Sequence, residues 1–183
     1  MIDNAQARYS TGAIVLHWLI AIAVIVNWRI AEAAEHAASK EAEAAIMMNH
    51  KALGITILVL TLARLAWRLT HKAPPMPSSI PAWQQTLARV VHVIFYVMLI
   101  GLPIGGWLGV SYFGSAVEWF GMFTVPVLPV GQDFETGKAI LELHHEGGEI
   151  LLILIALHVL GALKHSFIDK VPSLSRMWFG RSA

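Results

Sequence analysis

HHEGGEILLILIALHVLGALKH, residues 144–165, decides the fold. It is mainly apolar, and about 20 mainly apolar residues are enough to cross about 30 Å of hydrocarbon as a helix. Yet it carries His144, His145 and His158. Ionisable side chains inside a span are costly, and they face a bundle interior where a partner waits. Helical phase relates the histidines to one another. His144 and His158 stand 14 residues apart, so they differ by about 40° around the axis and about 21 Å along it. His145 and His158 differ by about 140°, close to opposite faces. A helix that lines a bundle with one face therefore presents His144 and His158 together, at two depths.

Three further apolar stretches lie upstream, at about Gly12–Ala31, Met47–Leu69 and Ala88–Tyr112, and the fourth covers about Ile140–Leu163. The fold class is therefore all-α: an integral-membrane four-helix bundle in a single 1–183 domain, with helices expected at about 12–31, 47–69, 84–112 and 138–165. The chain of 183 residues is 56% hydrophobic and 14% charged, with mean hydropathy +0.61. Soluble domains average about 25% charged. A net charge of +1 implies no attraction to nucleic acid. Cysteine is absent, which removes disulfides, thiolate metal sites, iron–sulfur clusters and covalent haem attachment. The first stretch does not read as a cleaved signal peptide, because Asn27 and Arg29 interrupt the expected cleavage region.

The connections differ in character. Glu32–Ala45 is rich in alanine and glutamate and is expected to continue as a short surface helix. HKAPPMPSSIP, residues 71–81, has four prolines and cannot be regular helix. Ser111–Gly137 is the longest gap, of the kind that packs as a functional loop. One side of the bundle gathers Arg8, Arg64, Arg68, Lys72, Arg89, Lys164, Lys170, Arg176 and Arg181 with only Asp3 and Asp169. The other gathers Arg29, Lys40, Lys51 and Lys138 with Glu32, Glu35, Glu41, Glu43, Glu118, Asp133, Glu135, Glu142, Glu146 and Glu149. The bases divide nine to four, and the positive-inside rule puts the richer side, with both termini, in the cytoplasm.

With that orientation the intramembrane histidines fall on two levels. His17 pairs with His158 towards the cytoplasm, and His50 pairs with His144 or His145 towards the periplasm. His92, near the cytoplasmic end of the third stretch, competes with His17; His36, His71 and His165 read as solvated. Zinc or copper needs three or four converging donors, whereas each level offers two. Haem supplies four nitrogens itself and needs two axial ligands. Two imidazoles saturate the iron, so such a centre carries electrons rather than binding oxygen. Without cysteine the haems are noncovalent and b-type. Helix packing or proton relay is the alternative use of these rings. Arg64 lies 14 residues after His50 on the same face and suits a haem propionate. Arg68 and Lys72 continue at four-residue steps, as a basic stripe or simple flanking charge. Lys51 and Lys138 are bases on the acidic side, available to outer propionates or an anionic donor. Trp18, Trp28, Trp107 and Trp119 read as interfacial belt residues.

Four segments resemble the bacterial cytochrome b561 family of small dihaem membrane cytochromes. They are STGAIVLHWLI around His17, MMNHKALGITILVLTLARLAWRL from Met47, HVIFYVMLIGLPIGG from His92, and HHEGGEILLILIALHVLGALKHSFIDKVPSLSRM from His144. The resemblance spans nearly the whole chain and implies His17, His50, His144 and His158 as axial ligands. One departure concerns the fourth helix. The family's outer histidine is commonly followed by glutamate, which favours His145; the 14-residue interval and the helical phase favour His144, the assignment adopted. The resemblance further implies a bacterial inner-membrane protein that moves electrons between a quinone, ubiquinone above all, and a small or protein redox partner. Oxidation of superoxide with reduction of ubiquinone is one such activity. A cytochrome b subunit of a hydrogenase or dehydrogenase complex is the alternative, and a haem-free proton-relay transporter a second.

Overall fold

The computed structural model describes residues 8–77, 79–171 and 173–179; Asp3 and Arg181, counted in the charge balance, lie outside them. Four long helices, α1 (Thr11–Glu35), α2 (Lys40–Thr70), α3 (Ala82–Tyr112) and α4 (Phe134–Leu163), run up and down. All four are long and apolar enough to cross a membrane. A hairpin of β1 (Val117–Trp119) and β2 (Phe123–Val125) separates α3 from α4, and a short α5 (Ser173–Arg176) follows a π-helical turn at Lys164–Ile168. The end bearing the β-hairpin is here the hairpin end; the end bearing α5 and the start of α1 is the tail end.

The helices reach beyond the apolar stretches, and this corrects the expected boundaries. α1 continues to Glu35 and α2 already begins at Lys40, so most of the Glu32–Ala45 connection is helical, as continuations of the two long helices. Alanine and glutamate have high helix propensity, and nothing in that segment breaks the helix except the turn at residues 36–39. Ser39 then starts α2 by accepting a bond from the Ala42 N–H at 3.2 Å, with Glu41 and Glu43 favourably placed in the first turn. Asp133 does the same for α4: its carboxylate accepts from the Thr136 N–H and hydroxyl, so α4 starts at Phe134, ahead of the expected position. Those bonds hold the exposed Asp133 carboxyl below its ordinary range. The proline-rich segment contains no helix before Ala82, as its composition dictates.

Packing is uneven. α1 lies along α2, α3 along α4, and α2 against α3, whereas α4 makes at most isolated backbone approaches to α1 and α2. The buried core is a plug at mid-depth: Ile20 and Val24 of α1, Ile57 of α2 and Leu151 of α4, with Phe95 and Leu99 of α3 against them. Most remaining apolar side chains, Val59, Val97 and Ile153 among them, are exposed and form a lipid face. The α3–α4 contact is closest at its hairpin end. A Cβ on Gly137 would stand 2.7 Å from the Phe113 ring and 3.1 Å from the Gly109 carbonyl oxygen.

Gly137→Val should therefore force α3 and α4 apart, at a cost of about 1–3 kcal/mol. A lowered melting temperature of the purified protein in detergent is the expected reading, and an unchanged one would show that the crossing tolerates the added volume.

Candidate cofactor site

Four histidines form two facing pairs. His50 of α2 and His144 of α4 face each other at the hairpin end, ring centres 5.9 Å apart and planes at 88°. At the tail end His17 of α1 faces His158 of α4 at 6.3 Å and 67°. All four rings are half-buried. Metal–imidazole bonds of about 2 Å put the centres of two rings on opposite sides of one metal about 6 Å apart. Each pair therefore has the spacing to clasp a single ion from two helices.

The hairpin-end rings are oriented from behind. His50 donates its Nδ1–H to the Asn27 carbonyl of α1 at 3.2 Å, and His144 donates its own to the Leu102 carbonyl of α3 at 2.8 Å. Both rings thus present Nε2 to the space between them, the arrangement in which a metal-binding histidine has its tautomer fixed by a second partner. Gly106 makes this possible for His144. A Cβ there would lie 3.0 Å from its Cε1 and 3.2 Å from its Nδ1. One helical turn beyond His144, the place where a Gly148 Cβ would stand is open, with no atom of another helix within 4 Å.

His145 points elsewhere. It is exposed, with Nδ1 3.8 Å from Glu35 and Nε2 3.7 Å from Glu149. At the tail end His92 also approaches His158, with ring centres at 6.0 Å, but from α3 and with its own side chain exposed. That closeness was not readable from the sequence beyond the shared depth of the two residues. Arg64 lies at this level and is half-buried; its guanidinium donates to the Ala13 carbonyl at 3.0 Å, one turn before His17. The expected basic stripe ends at Arg68, because α2 stops at Thr70 and Lys72 lies beyond it.

Among the described residues no three His, Cys, Asp or Glu side chains converge as a cage for a bare ion. The donor set is two imidazoles per level, which fits a group that brings its own equatorial nitrogens. The packing fits as well. A macrocycle between two ligands needs a gap between the helices that carry them, and α4 is held off both α1 and α2. It packs directly on α3, which leaves no comparable gap between His92 and His158.

Sequence reasoning missed how both ends are covered. At the tail end the residues that follow α5 fold under α1. The Trp18 indole, beside His17, donates to the Met177 carbonyl at 2.7 Å and meets Trp178 edge-on; Arg8 donates to the Trp178 carbonyl. Buried Arg176 donates to the Pro75 carbonyl at 2.7 Å and ties in the proline-rich segment. His36 bonds to the Glu32 carbonyl and His71 stacks on Trp67. His165 donates to Asp169 at 2.7 Å, and the bond from Lys164 contributes most to holding that carboxyl below its ordinary range. At the hairpin end β1 lies along α2, and the Trp119 indole donates to the Thr56 hydroxyl at 3.0 Å. Trp107 donates to the Pro126 carbonyl at 2.9 Å. These tryptophans pin loops to helices; only Trp28 of the four is free to act as a simple belt residue, with 40% of its surface exposed.

Comparison with known proteins follows the same outline. Residues 8–180 match the family described as prokaryotic cytochrome b561. Cytochrome b561 homolog 2 of Escherichia coli (strain K12) is 30% identical, over 98% of this chain and 95% of its own length. Cytochrome b561 homolog 1 of the same organism is 28% identical, over 93% and 96%. A probable superoxide oxidase, CybB, of Yersinia pestis is 30% identical, over 93% and 95%.

Replacing Trp119 by phenylalanine should remove the bond that pins the hairpin and cost about 1 kcal/mol. Limited proteolysis should then cut faster within residues 114–132 while the helices keep their protection; equal rates would mean that the indole bond does not anchor the loop.

Proposed function

This chain belongs to the prokaryotic cytochrome b561 family, and from that premise we propose that it moves electrons across a membrane through two b haems. It is a multi-pass membrane protein with a cytochrome b role in electron transfer. The finer reading assigns one haem to His50 and His144 and the other to His17 and His158. The observation that carries it is the spacing of the two ring pairs, 5.9 and 6.3 Å, each across helices that do not pack closely. When bound, a haem at each level supplies one-electron redox chemistry at a saturated iron.

The protein's own residues do the rest. The four imidazoles hold the metal, and the Asn27 and Leu102 carbonyls set the orientation of two of them. Arg64 is positioned to meet a propionate at the tail end. The plug around Ile20, Val24, Ile57 and Leu151 lies between the levels and excludes water from the path. The charge distribution supports a cytoplasmic tail end and a periplasmic hairpin end in a bacterial inner membrane. Quinone, ubiquinone above all, is the proposed partner on one side, and a small or protein donor on the other. The probable superoxide oxidase among the relatives makes superoxide the first donor to try, with exposed Lys138 and half-buried Lys51 as the nearby cations.

Pyridine haemochrome analysis of the purified protein should give two haems b per chain. Alanine at His17, His50, His144 or His158 should remove one of them, whereas alanine at His145 or His92 should leave both. Loss of a haem from the His145 variant with retention in the His144 variant would reverse the assignment on α4. Superoxide should reduce the bound haems faster than it dismutates; haems that stay oxidised would eliminate that donor.

A further inference from the structure

We propose that Thr61 of α2 is a positioning residue of the tail-end site: its hydroxyl takes up the Nδ1 proton of His17 and so aims Nε2 of that ring at the metal. This rests on the two-haem reading and adds the partner of one of its four ligands.

The hairpin end shows what a ligand imidazole in this bundle is given. His50 and His144 each donate their Nδ1 proton to a carbonyl of the neighbouring helix, at 3.2 and 2.8 Å. Such a second partner fixes both the tautomer and the direction of the ring. Among the described residues His17 has no hydrogen bond to its ring; Trp18 and His158 flank it, with ring centres at 5.4 and 6.3 Å. Its second nitrogen has no water to turn to in hydrocarbon.

Thr61 has the complementary lack. It is 0% exposed, and its hydroxyl has no hydrogen-bond partner among the described residues. The other two threonines of α2 bond back to their own helix, Thr56 to the Ala52 carbonyl and Thr70 to the Ala66 carbonyl, each at 3.0 Å. An unpaired buried hydroxyl is costly. One that forgoes the bond its own helix offers is held for another partner. The other buried orphan, the Asn27 side-chain oxygen, stands at the hairpin level, where both rings are already bonded.

Register puts Thr61 and His17 at one depth. α1 and α2 run antiparallel, Ile20 and Ile57 share the mid-depth plug, and Arg64 reaches the Ala13 carbonyl. Thr61 lies four residues beyond Ile57 and three before Arg64, while His17 lies three before Ile20 and four beyond Ala13. At about 1.5 Å per residue the two positions are level to within about 1.5 Å. Thr61 also continues the line of His50, Gly54, Ile57 and Arg64 at alternating steps of four and three, which keeps one face of α2 towards its neighbours.

Spectroelectrochemical titration and EPR of the purified protein carrying both haems test this. Thr61→Val keeps the shape and removes the hydroxyl; Thr61→Ser keeps the hydroxyl. A ring that shares its proton is the more basic ligand and favours ferric iron. Thr61→Val should therefore raise the midpoint of one haem by roughly threefold in its redox equilibrium, about 28 mV at about 59 mV per tenfold. That haem should be the one that His17→Ala removes, and its low-spin ferric signal should broaden as the ring loses its fixed direction. Thr61→Ser should keep the midpoint and the signal of the unaltered protein. Loss of that haem alone from Thr61→Val, with retention in Thr61→Ser, would support the inference equally. Unchanged haems in Thr61→Val, a shift confined to the haem that His50→Ala removes, or a Thr61→Ser protein that behaves like Thr61→Val would overturn it and leave the two-haem reading standing. Fewer than two haems in the unaltered protein would overturn both.

Discussion

A histidine in hydrocarbon has two ring nitrogens to satisfy and no water to do it. The hairpin-end pair meets that demand within each half of the bundle. His50 of α2 bonds to a carbonyl of α1, and His144 of α4 bonds to a carbonyl of α3. Each bond lies inside a tightly packed antiparallel pair of helices. Each also commits one nitrogen and turns the other towards the opposite half. Across the gap between α2 and α4 the halves then face one another through imidazole, while α2 packs directly on α3. A bundle held together by direct packing on all sides would leave these rings nothing to hold.

That division explains where the core is. Side chains from all four helices meet at mid-depth, with Ile20, Ile57, Phe95 and Leu151 in one cluster, while the levels above and below remain open around the histidines. About 21 Å of α4 separates His144 from His158, and the plug fills the interval. It therefore unites the halves and insulates one level from the other. The covers at the two ends extend the same logic. Met177 and Trp178, just after α5, lie against Trp18 at the tail end, and the β-hairpin lies along α2 at the other, so each level is bounded by protein on the side away from the plug.

The helices and the two histidine levels were legible because both follow from single-chain regularities. Twenty apolar residues span a bilayer, and 14 residues bring a helix almost back to the same face. The preference for His144 over His145 as the inward ring came from that phase, and the structure turns His144 towards His50 and His145 towards Glu35 and Glu149. Three features left no such trace. The strands have three residues each, too few for an alternating pattern to register, and the turn between them puts Phe120 at φ 49°, a conformation no sequence rule assigns to phenylalanine. The bond from Arg176 to Pro75 joins residues 101 positions apart. The carbonyls behind His50 and His144 belong to backbone, so the side-chain identities of Asn27 and Leu102 do not announce them.

The histidine geometry also bears on the competitor at the tail end. His92 and His17 stand at nearly equal distances from His158, 6.0 and 6.3 Å, so ring separation alone cannot choose. Helix packing can. α3 and α4 approach so closely at their hairpin end that Gly109 and Gly137 cannot carry side chains without displacement, and a rigid α4 fixed there stays beside α3 along its length. α1 meets α4 through the rings and the mid-depth plug without close backbone packing, which leaves a seam around the rings. A planar group wider than an imidazole enters a seam more readily than it parts two packed helices, because parting them forfeits dispersion contacts along both surfaces. On the proposed two-haem reading, His92 is then a neighbour that contributes a polar edge to the seam, and His17 is the residue that closes it.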